Sequence, residues 1–393
     1  MTYIDVKKRY VSKDILMKQF VNLKKQGKVD TIFENNFTKD FEKIPKTTIP
    51  KNVTNQCSTD RAKCEALPRP EGPIYLEPMM IFKGRGKHPL RGKIKREVEE
   101  KDVIVNLKGE EKLKGETSFR GTTRGENWRL KWRDTLTGNL RYQRTMSETQ
   151  KDERPKFELA RKLKRRLPKF RSENRMALES KDKKTAQCAT AAYLIDSILI
   201  RAGNEKDENT CETMGCCTLE VQNVTLKENR KVRFEFLGKD SVPFRRDITV
   251  LETVYSNLIK FTRNKTNGDQ IFDLIDTAML NRYLSKIVPD VTAKVFRICN
   301  ASVVFERGLR EEKTMEGYKR VNEIVANMLN HKKYDNKKKK WVSSLMTSRI
   351  NYLDPRISVD FCKRNGILLE QVYGSTGKNR YRWAENEEFP FKF

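Results

Sequence analysis

Two sets of residues in this 393-residue chain have types suited to phosphate chemistry. Phe82-Lys83-Gly84-Arg85-Gly86-Lys87-His88-Pro89 is basic and punctuated by glycine, so the backbone can approach a ligand closely while Lys83, Arg85 and Lys87 reach phosphate oxygens. The stretch lacks the G-x-x-x-x-G-K-[ST] spacing of a P-loop and the third glycine of a dinucleotide fingerprint; alone, it is equally a plain basic turn. The second set is dispersed: Arg201, Lys239, Arg297 and His331 are cations in ordered settings, and Tyr352 lies in Thr347-Ser348-Arg349-Ile350-Asn351-Tyr352-Leu353-Asp354-Pro355-Arg356. Taken singly, each cation reads as a surface ion-pair partner and the tyrosine as a packed core residue. No G-x-S-x-G elbow or recognisable carboxylate pair offers competing chemistry. Eight cysteines without a C-x-x-C pair, and only two histidines, argue for reduced thiols and against a metal site.

A formal charge of +29 narrows the partners. Such a surplus speeds encounter with polyanions and ties affinity to salt through counterion release, so nucleic acid comes first and an anionic membrane surface second. With 37% hydrophobic residues, including 19 Phe and 12 Tyr, the chain has material for real cores, which excludes disorder. No apolar run approaches the ~20 residues that span a bilayer. Lys7, Lys8 and Arg9 interrupt the region where a secretory signal needs its apolar stretch. An intracellular protein with no membrane partner is therefore expected.

Periodicity supplies the elements that must position these residues. Ile15, Leu16, Phe20 and Leu23, then Phe33, Phe37 and Phe41, mark two short amphipathic helices. Residues 44–72 read as loop, and 81–145 as β-rich, with a strand at 103–105 and a hairpin turn at Thr137-Gly138-Asn139. Trp128 and Trp132 are stacking candidates, but their spacing along one strand face favours core packing. A polar boundary at 147–154 precedes helices at 157–170 and 184–202, the second stopped by Gly203 with Arg201 at its end. Residues 232–241 form a hairpin with Lys239 at its tip, 250–330 are mostly helical, 331–341 are strongly basic, and a compact segment ends the chain.

Read together, the phrases around the dispersed residues lose their separate readings. Arg201-Ala202-Gly203-Asn204-Glu205-Lys206 with Gly215-Cys216-Cys217, Phe236-Leu237-Gly238-Lys239-Asp240-Ser241, Thr292-Ala293-Lys294-Val295-Phe296-Arg297, Asn330-His331 and the Tyr352 stretch resemble eukaryotic-type DNA topoisomerase IB, in the family's order. The Phe82–Pro89 loop and Gly138–Tyr142 extend the resemblance from about residue 73 to the C-terminus. The resemblance implies transesterification without ATP or any other cofactor. Tyr352 would attack a DNA phosphodiester to give a 3′-phosphotyrosine, Arg201 and Arg297 would clamp the phosphoryl oxygens, His331 would donate a further hydrogen bond, and Lys239 would protonate the leaving 5′-oxygen. Lys83, Arg85, Arg141, Asp240, Lys294, Thr347 and Asn351 match family positions near DNA. Lys83 and Arg141 exchange Arg and Lys relative to the family, which keeps charge but removes bidentate geometry at Lys83.

The implied fold is a multidomain α+β, bi-lobed DNA clamp: a β-containing N-terminal lobe and a mainly α-helical catalytic lobe of the tyrosine recombinase/topoisomerase IB type. Its expected parts are a truncated cap-like helical region and linker (1–72), a β-rich DNA-gripping region (73–150), a catalytic core (151–332), a short basic linker (333–346) and a C-terminal segment carrying Tyr352 (347–393). Only 21 positions separate His331 from Tyr352, so the long coiled-coil linker of the family's common nuclear form does not fit. The chain also starts inside the cap, and reads as a minimal enzyme. A monomer on duplex DNA in the nucleus, with fast strand rotation and weakened response to camptothecin-type inhibitors, is the expectation. Two rivals stand beside it. A tyrosine recombinase would carry H-x-x-R where this chain has Lys294-x-x-Arg297, and would exchange a C-terminal helix of which the sequence shows no obvious spare. The other rival is a non-catalytic basic DNA-binding clamp.

Overall fold

The computed structural model describes residues 3–4, 6–7, 11–44, 74–84, 88–107, 112–113, 119–123, 128–143, 153–203, 214–335, 338–387 and 389–393. The chain forms two compact units, 1–151 and 152–393.

In the first unit, helix α1 (Lys13–Lys25) starts where the Ser12 side chain accepts from the Ile15 amide, and α2 (Thr31–Phe41) where Asp30 accepts from Phe33. Leu16, Phe20 and Leu23 face Phe33 and Phe37, as the spacing predicts, and the Phe20 and Phe37 rings stack 4.1 Å apart. Strands β1 (Tyr3–Ile4) and β2 (Val6–Lys7) pair in parallel with β7 (Lys112–Leu113) and β3 (Ile74–Tyr75), long-range contacts that local pattern does not announce. Strand β4 (Met80–Ile81) pairs with β5 (Ile94–Lys95). The main sheet has the order β10-β9-β6-β8, built from β6 (Val103–Asn106), β8 (Gly121–Thr123), β9 (Leu130–Arg133) and β10 (Leu140–Gln143). Its β9–β10 hairpin has the expected turn, with Gly138 at φ +72°. Trp128 is buried and Trp132 packs on the sheet's core, so both serve packing.

The second unit has one continuous core. Helix α3 (Arg154–Leu178) packs on α4 (Lys183–Ile198) and on α7 (Ala293–Gly308), around Phe157, Leu163, Leu194, Ile195, Phe296 and Phe305. Between α4 and α7 come β11 (Val224–Leu226), the hairpin β12 (Lys231–Gly238) and β13 (Val242–Thr249), and helices α5 (Glu252–Thr262) and α6 (Thr277–Ser285). Helix α8 (Met315–Met328) leads to His331.

Two local expectations are corrected. Helix α4 ends at Ile198, because Leu199 itself takes the left-handed conformation (φ +55°); Arg201 therefore lies beyond the helix, not on its last turn. The region read as a basic linker contains a hairpin, β14 (Lys332–Asp335) with β15 (Lys340–Ser343), in which Tyr334 faces Trp341. The expectation of no spare C-terminal helix holds: α9 (Leu345–Asn351) precedes Tyr352, and α10 (Pro355–Asn365) and α11 (Leu369–Glu385) follow it. They are not spare, since Phe361, Leu369, Val372 and Ala384 belong to the common core.

Candidate active site

Four of the five dispersed residues converge in the second unit. Arg297, on the second turn of α7, is 3% exposed. Its guanidinium donates to the Leu199 carbonyl and, at 2.9 Å, to the Leu329 carbonyl, the residues two positions before Arg201 and His331. One buried fork thus fixes the backbones that present two other site residues. His331, also 3% exposed, has Nε2 3.4 Å from Arg297 Nη2 and Nδ1 2.8 Å from Ser348 Oγ. The Tyr352 ring centre lies 4.7 Å from the imidazole and 5.1 Å from Arg297 Cζ.

The Arg201 segment is held by the neighbouring stretch from Met214 into the 3-10 turn Cys216–Thr218. Cys216 and Cys217 amides donate to the Arg201 and Ala202 carbonyls, both at 2.7 Å, while the Met214 amide donates to Leu237 of β12. The approach needs two glycines: a Cβ on Gly215 would lie 2.3 Å from Gly203 Cα, and Gly203 is at φ +86°. Gly215→Ala is therefore expected to lower stability by about 1–3 kcal/mol. Gly268→Ala, where a Cβ meets nothing within 4 Å, serves as the neutral control in the same urea titration.

Tyr352 sits at the end of α9, where its amide donates to the Ser348 carbonyl at 2.9 Å. Just beyond, Asp354 caps α10, and the fully buried Arg356 forks onto it at 2.7–3.2 Å while reaching Glu158 of α3. The nucleophile candidate is thereby anchored on both sides, and the core Tyr381 hydroxyl donates to the Ile350 carbonyl.

Electrostatics follow the burial. Burial alone would raise the Tyr352 hydroxyl, yet Arg297, Arg201 and Lys294 outweigh it and hold it below the ordinary tyrosine value. His331 is pushed down to about 3 by burial, then by Arg297 and Arg201, so the ring is neutral at physiological pH. Arg297 is lowered by burial to about 10 and keeps its charge. The unfolded chain binds a proton at residue 331 more readily than the folded one, so this group's stabilisation is complete above about pH 6.5 and is lost as pH falls toward 3. Urea titrations over that window should show a loss of stability whose slope is shallower in His331→Gln; equal slopes would contradict a buried neutral ring.

Lys239 occupies the turn between β12 and β13, exposed, and among the described residues no hydrogen bond joins it to the other four. Its hairpin is nonetheless tied to the approach to His331. Arg246 of β13 donates to the Asn327 and Met328 carbonyls at 2.5 and 2.8 Å, and Asn330 Nδ2 donates to the Pro243 carbonyl at 3.2 Å. Sequence reasoning missed Arg246, Asn330 and Ser348 as supports, because each acts through a partner far along the chain.

Of the residues expected near DNA, Lys294 is exposed on the first turn of α7. Thr347 and Asn351 lie on α9 beside Tyr352, Thr347 Oγ1 2.8 Å from Ser344 Oγ and Asn351 Nδ2 donating to the Thr347 carbonyl. Lys83 and Arg141 belong to the first unit. Lys83 is exposed; Arg141 donates through Nε to Asp134 at 3.0 Å, an acid that also holds the buried Lys95 at 2.8 Å. Arg85 and the Asp240 side chain fall outside the described residues. Among the described residues no group of His, Cys, Asp and Glu is placed to hold a metal ion, and no helix is long and apolar enough to cross a membrane. The five described cysteines are buried thiols.

Comparison with known proteins accords with this geometry. Residues 145–359 match the family model of the eukaryotic DNA topoisomerase I catalytic core, and residues 70–145 match that of its DNA-binding fragment. The chain is 30% identical to human DNA topoisomerase 1 over 80% of its own length and 54% of the relative's. It is 32% identical to the Drosophila melanogaster DNA topoisomerase 1, covering 40% of that protein, and 30% identical to rat mitochondrial DNA topoisomerase I, covering 70%. The chain spans about half the length of the human relative it matches. With a catalytic-core model covering more than half of its residues, this chain belongs to the eukaryotic DNA topoisomerase I family.

Proposed function

We propose that the chain is a type IB DNA topoisomerase that relaxes positive and negative supercoils by transient cleavage of one strand. The observation that carries this reading is the convergence of His331 and Arg297 on the buried Tyr352 ring, at 4.7 and 5.1 Å, where Arg297, Arg201 and Lys294 hold the hydroxyl below the ordinary tyrosine value. In the cleavage step the Tyr352 oxygen gives up its proton to solvent and bonds to phosphorus as the P–O5′ bond breaks. Lys239 supplies the proton that the departing 5′-oxygen takes up. Arg201, Arg297 and His331 offset the charge that builds on the non-bridging oxygens. Because the phosphotyrosine conserves the bond energy, the free 5′-hydroxyl reverses the step and reseals the strand without ATP.

Duplex DNA is the proposed substrate, enclosed by a bi-lobed clamp acting as a monomer, with the nucleus as its setting. Mostly phosphate contacts give mild sequence preference. The H-x-x-R signature of the rival recombinase reading is absent at Lys294-Val295-Phe296-Arg297, and the helices after Tyr352 are committed to the core. Plasmid relaxation in EDTA without ATP tests the proposal: relaxation of both supercoil signs supports it, and DNA binding without relaxation leaves only the non-catalytic clamp.

The basic β14–β15 hairpin, rather than a coiled coil, separates His331 from α9. An arm of two four-residue strands extends only ~13 Å, too short to drag on a long stretch of rotating duplex. Single-molecule relaxation is therefore expected to show many turns per cleavage event, little slowed by camptothecin-type inhibitors. Slow rotation stalled by the drug would contradict this.

A further inference from the structure

His331 has two polar partners, and their chemistry constrains where its proton sits. The ring is neutral at physiological pH and so carries one N–H and one lone pair. Arg297 has only N–H groups to offer, so its 3.4 Å contact requires the lone pair on Nε2. That leaves the proton on Nδ1, donated to Ser348 Oγ at 2.8 Å. Ser348 is 0% exposed and His331 3%, so water does not substitute for either partner. The same serine's carbonyl accepts from the Tyr352 and Leu353 amides at 2.9 and 3.2 Å, so one residue ties the imidazole to the tyrosine.

A phosphoryl oxygen is an acceptor only. Once it draws the Arg297 N–H groups to itself, His331 can assist only if Nε2 becomes a donor. Nδ1 must then accept, and its partner must donate. A hydroxyl is one of the few side-chain groups able to reverse roles by rotation in place. We propose that Ser348 is a positioning residue that lets His331 reverse its tautomer when phosphate enters: Oγ accepts from Nδ1–H in the free chain and donates to Nδ1 when Nε2–H faces the phosphate. The ring gives up one proton and gains one through solvent exchange, so the step needs no co-reactant. The proposal rests on the strand-transfer reading for its second state but not for its first.

The chain's only other histidine provides an internal reference. The Leu90 amide donates to His88 Nδ1 at 3.1 Å, which fixes His88 as the Nε2–H tautomer. In 15N-histidine-labelled free protein the two rings are therefore expected in opposite tautomers, assigned by the loss of one signal in His88→Gln. Adding a duplex to Tyr352→Phe, which binds without cleaving, should move His331 to the Nε2–H form. In single-turnover cleavage, Ser348→Ala is expected to lose on the order of 10-fold, and Ser348→Thr, which keeps the hydroxyl, to recover most of it. In a His331→Ala background, Ser348→Ala should change the rate less than about twofold, because the two act as a unit. Two histidines in the same Nε2–H tautomer in the free chain would overturn the proposal. So would an equal loss from Ser348→Ala in both backgrounds, which is the mark of a merely structural serine. The spectrum needs no activity: His331 as Nδ1–H in a chain that never cleaves DNA would defeat the strand-transfer reading and leave the resting assignment standing.

Discussion

Tyr352→Phe should lose supercoil relaxation and covalent DNA attachment by on the order of 10⁴-fold or more, while DNA affinity stays within about twofold. The substitution removes one oxygen from a ring whose position is set by other groups: the Ser348 carbonyl holds the residue's amide, the Ser302 hydroxyl donates to its carbonyl at 3.3 Å, and His331 and Arg297 flank the ring. Stability near neutral pH should therefore hardly change. The hydroxyl's lowered pKa stabilises the fold only once pH rises above the folded value, and that contribution is lost as pH falls through it. The same shift sets the rate profile. In the wild type, single-turnover cleavage should rise with pH and level off below the ordinary tyrosine range; a midpoint at or above that range would contradict activation by the three cations.

Arg297→Ala should be costly twice over. Its guanidinium is a phosphate donor in the proposed reaction, and loss of such a preorganised donor lowers rates by about 10²–10³-fold. It is also the buried bridge between the Leu199 and Leu329 carbonyls, so its removal leaves both acceptors unpaired in the core. An unsatisfied buried group costs about 1–3 kcal/mol, and the vacated volume adds to that. Arg297→Lys keeps the charge but replaces a planar fork with a single ammonium, which cannot span two carbonyls and a phosphate together. Urea unfolding and suicide-duplex cleavage should rank the three as wild type, Lys, Ala in both measurements. Wild-type stability in Arg297→Ala would contradict the bridging role.

Much of this was legible in the sequence where the cause is local. Leu16, Phe20 and Leu23 repeat at helical spacing because one face must be buried, and the Phe33 and Phe37 pair answers them. The alternation at 232–236 produced β12 with Lys239 in the turn that follows. Failures came where a long-range contact outweighed the local signal. Gly203 reads as a helix stop, but its small size is spent against Gly215, and Leu199 ends α4 four residues earlier. The lysines at 332–333 and 338–340 read as a plain charge run, and the pairing of Tyr334 with Trp341 is visible only once the two strands are joined. The supports from Arg246, Ser348 and Asn330 join side chains to partners 17 to 87 residues away, and no composition or spacing rule foretells them.

The central claim is that Tyr352 becomes joined to the 3′ end of a cleaved strand. A duplex whose cleaved fragment is too short to remain paired would trap that intermediate. Labelling each strand end in turn, followed by peptide mapping, reads both the attached residue and the polarity of attachment. The account predicts a stoichiometric adduct on the peptide containing Tyr352, carrying the fragment through its 3′-phosphate and releasing a 5′-hydroxyl. Attachment through a 5′-phosphate, or an adduct that persists in Tyr352→Phe, would contradict it.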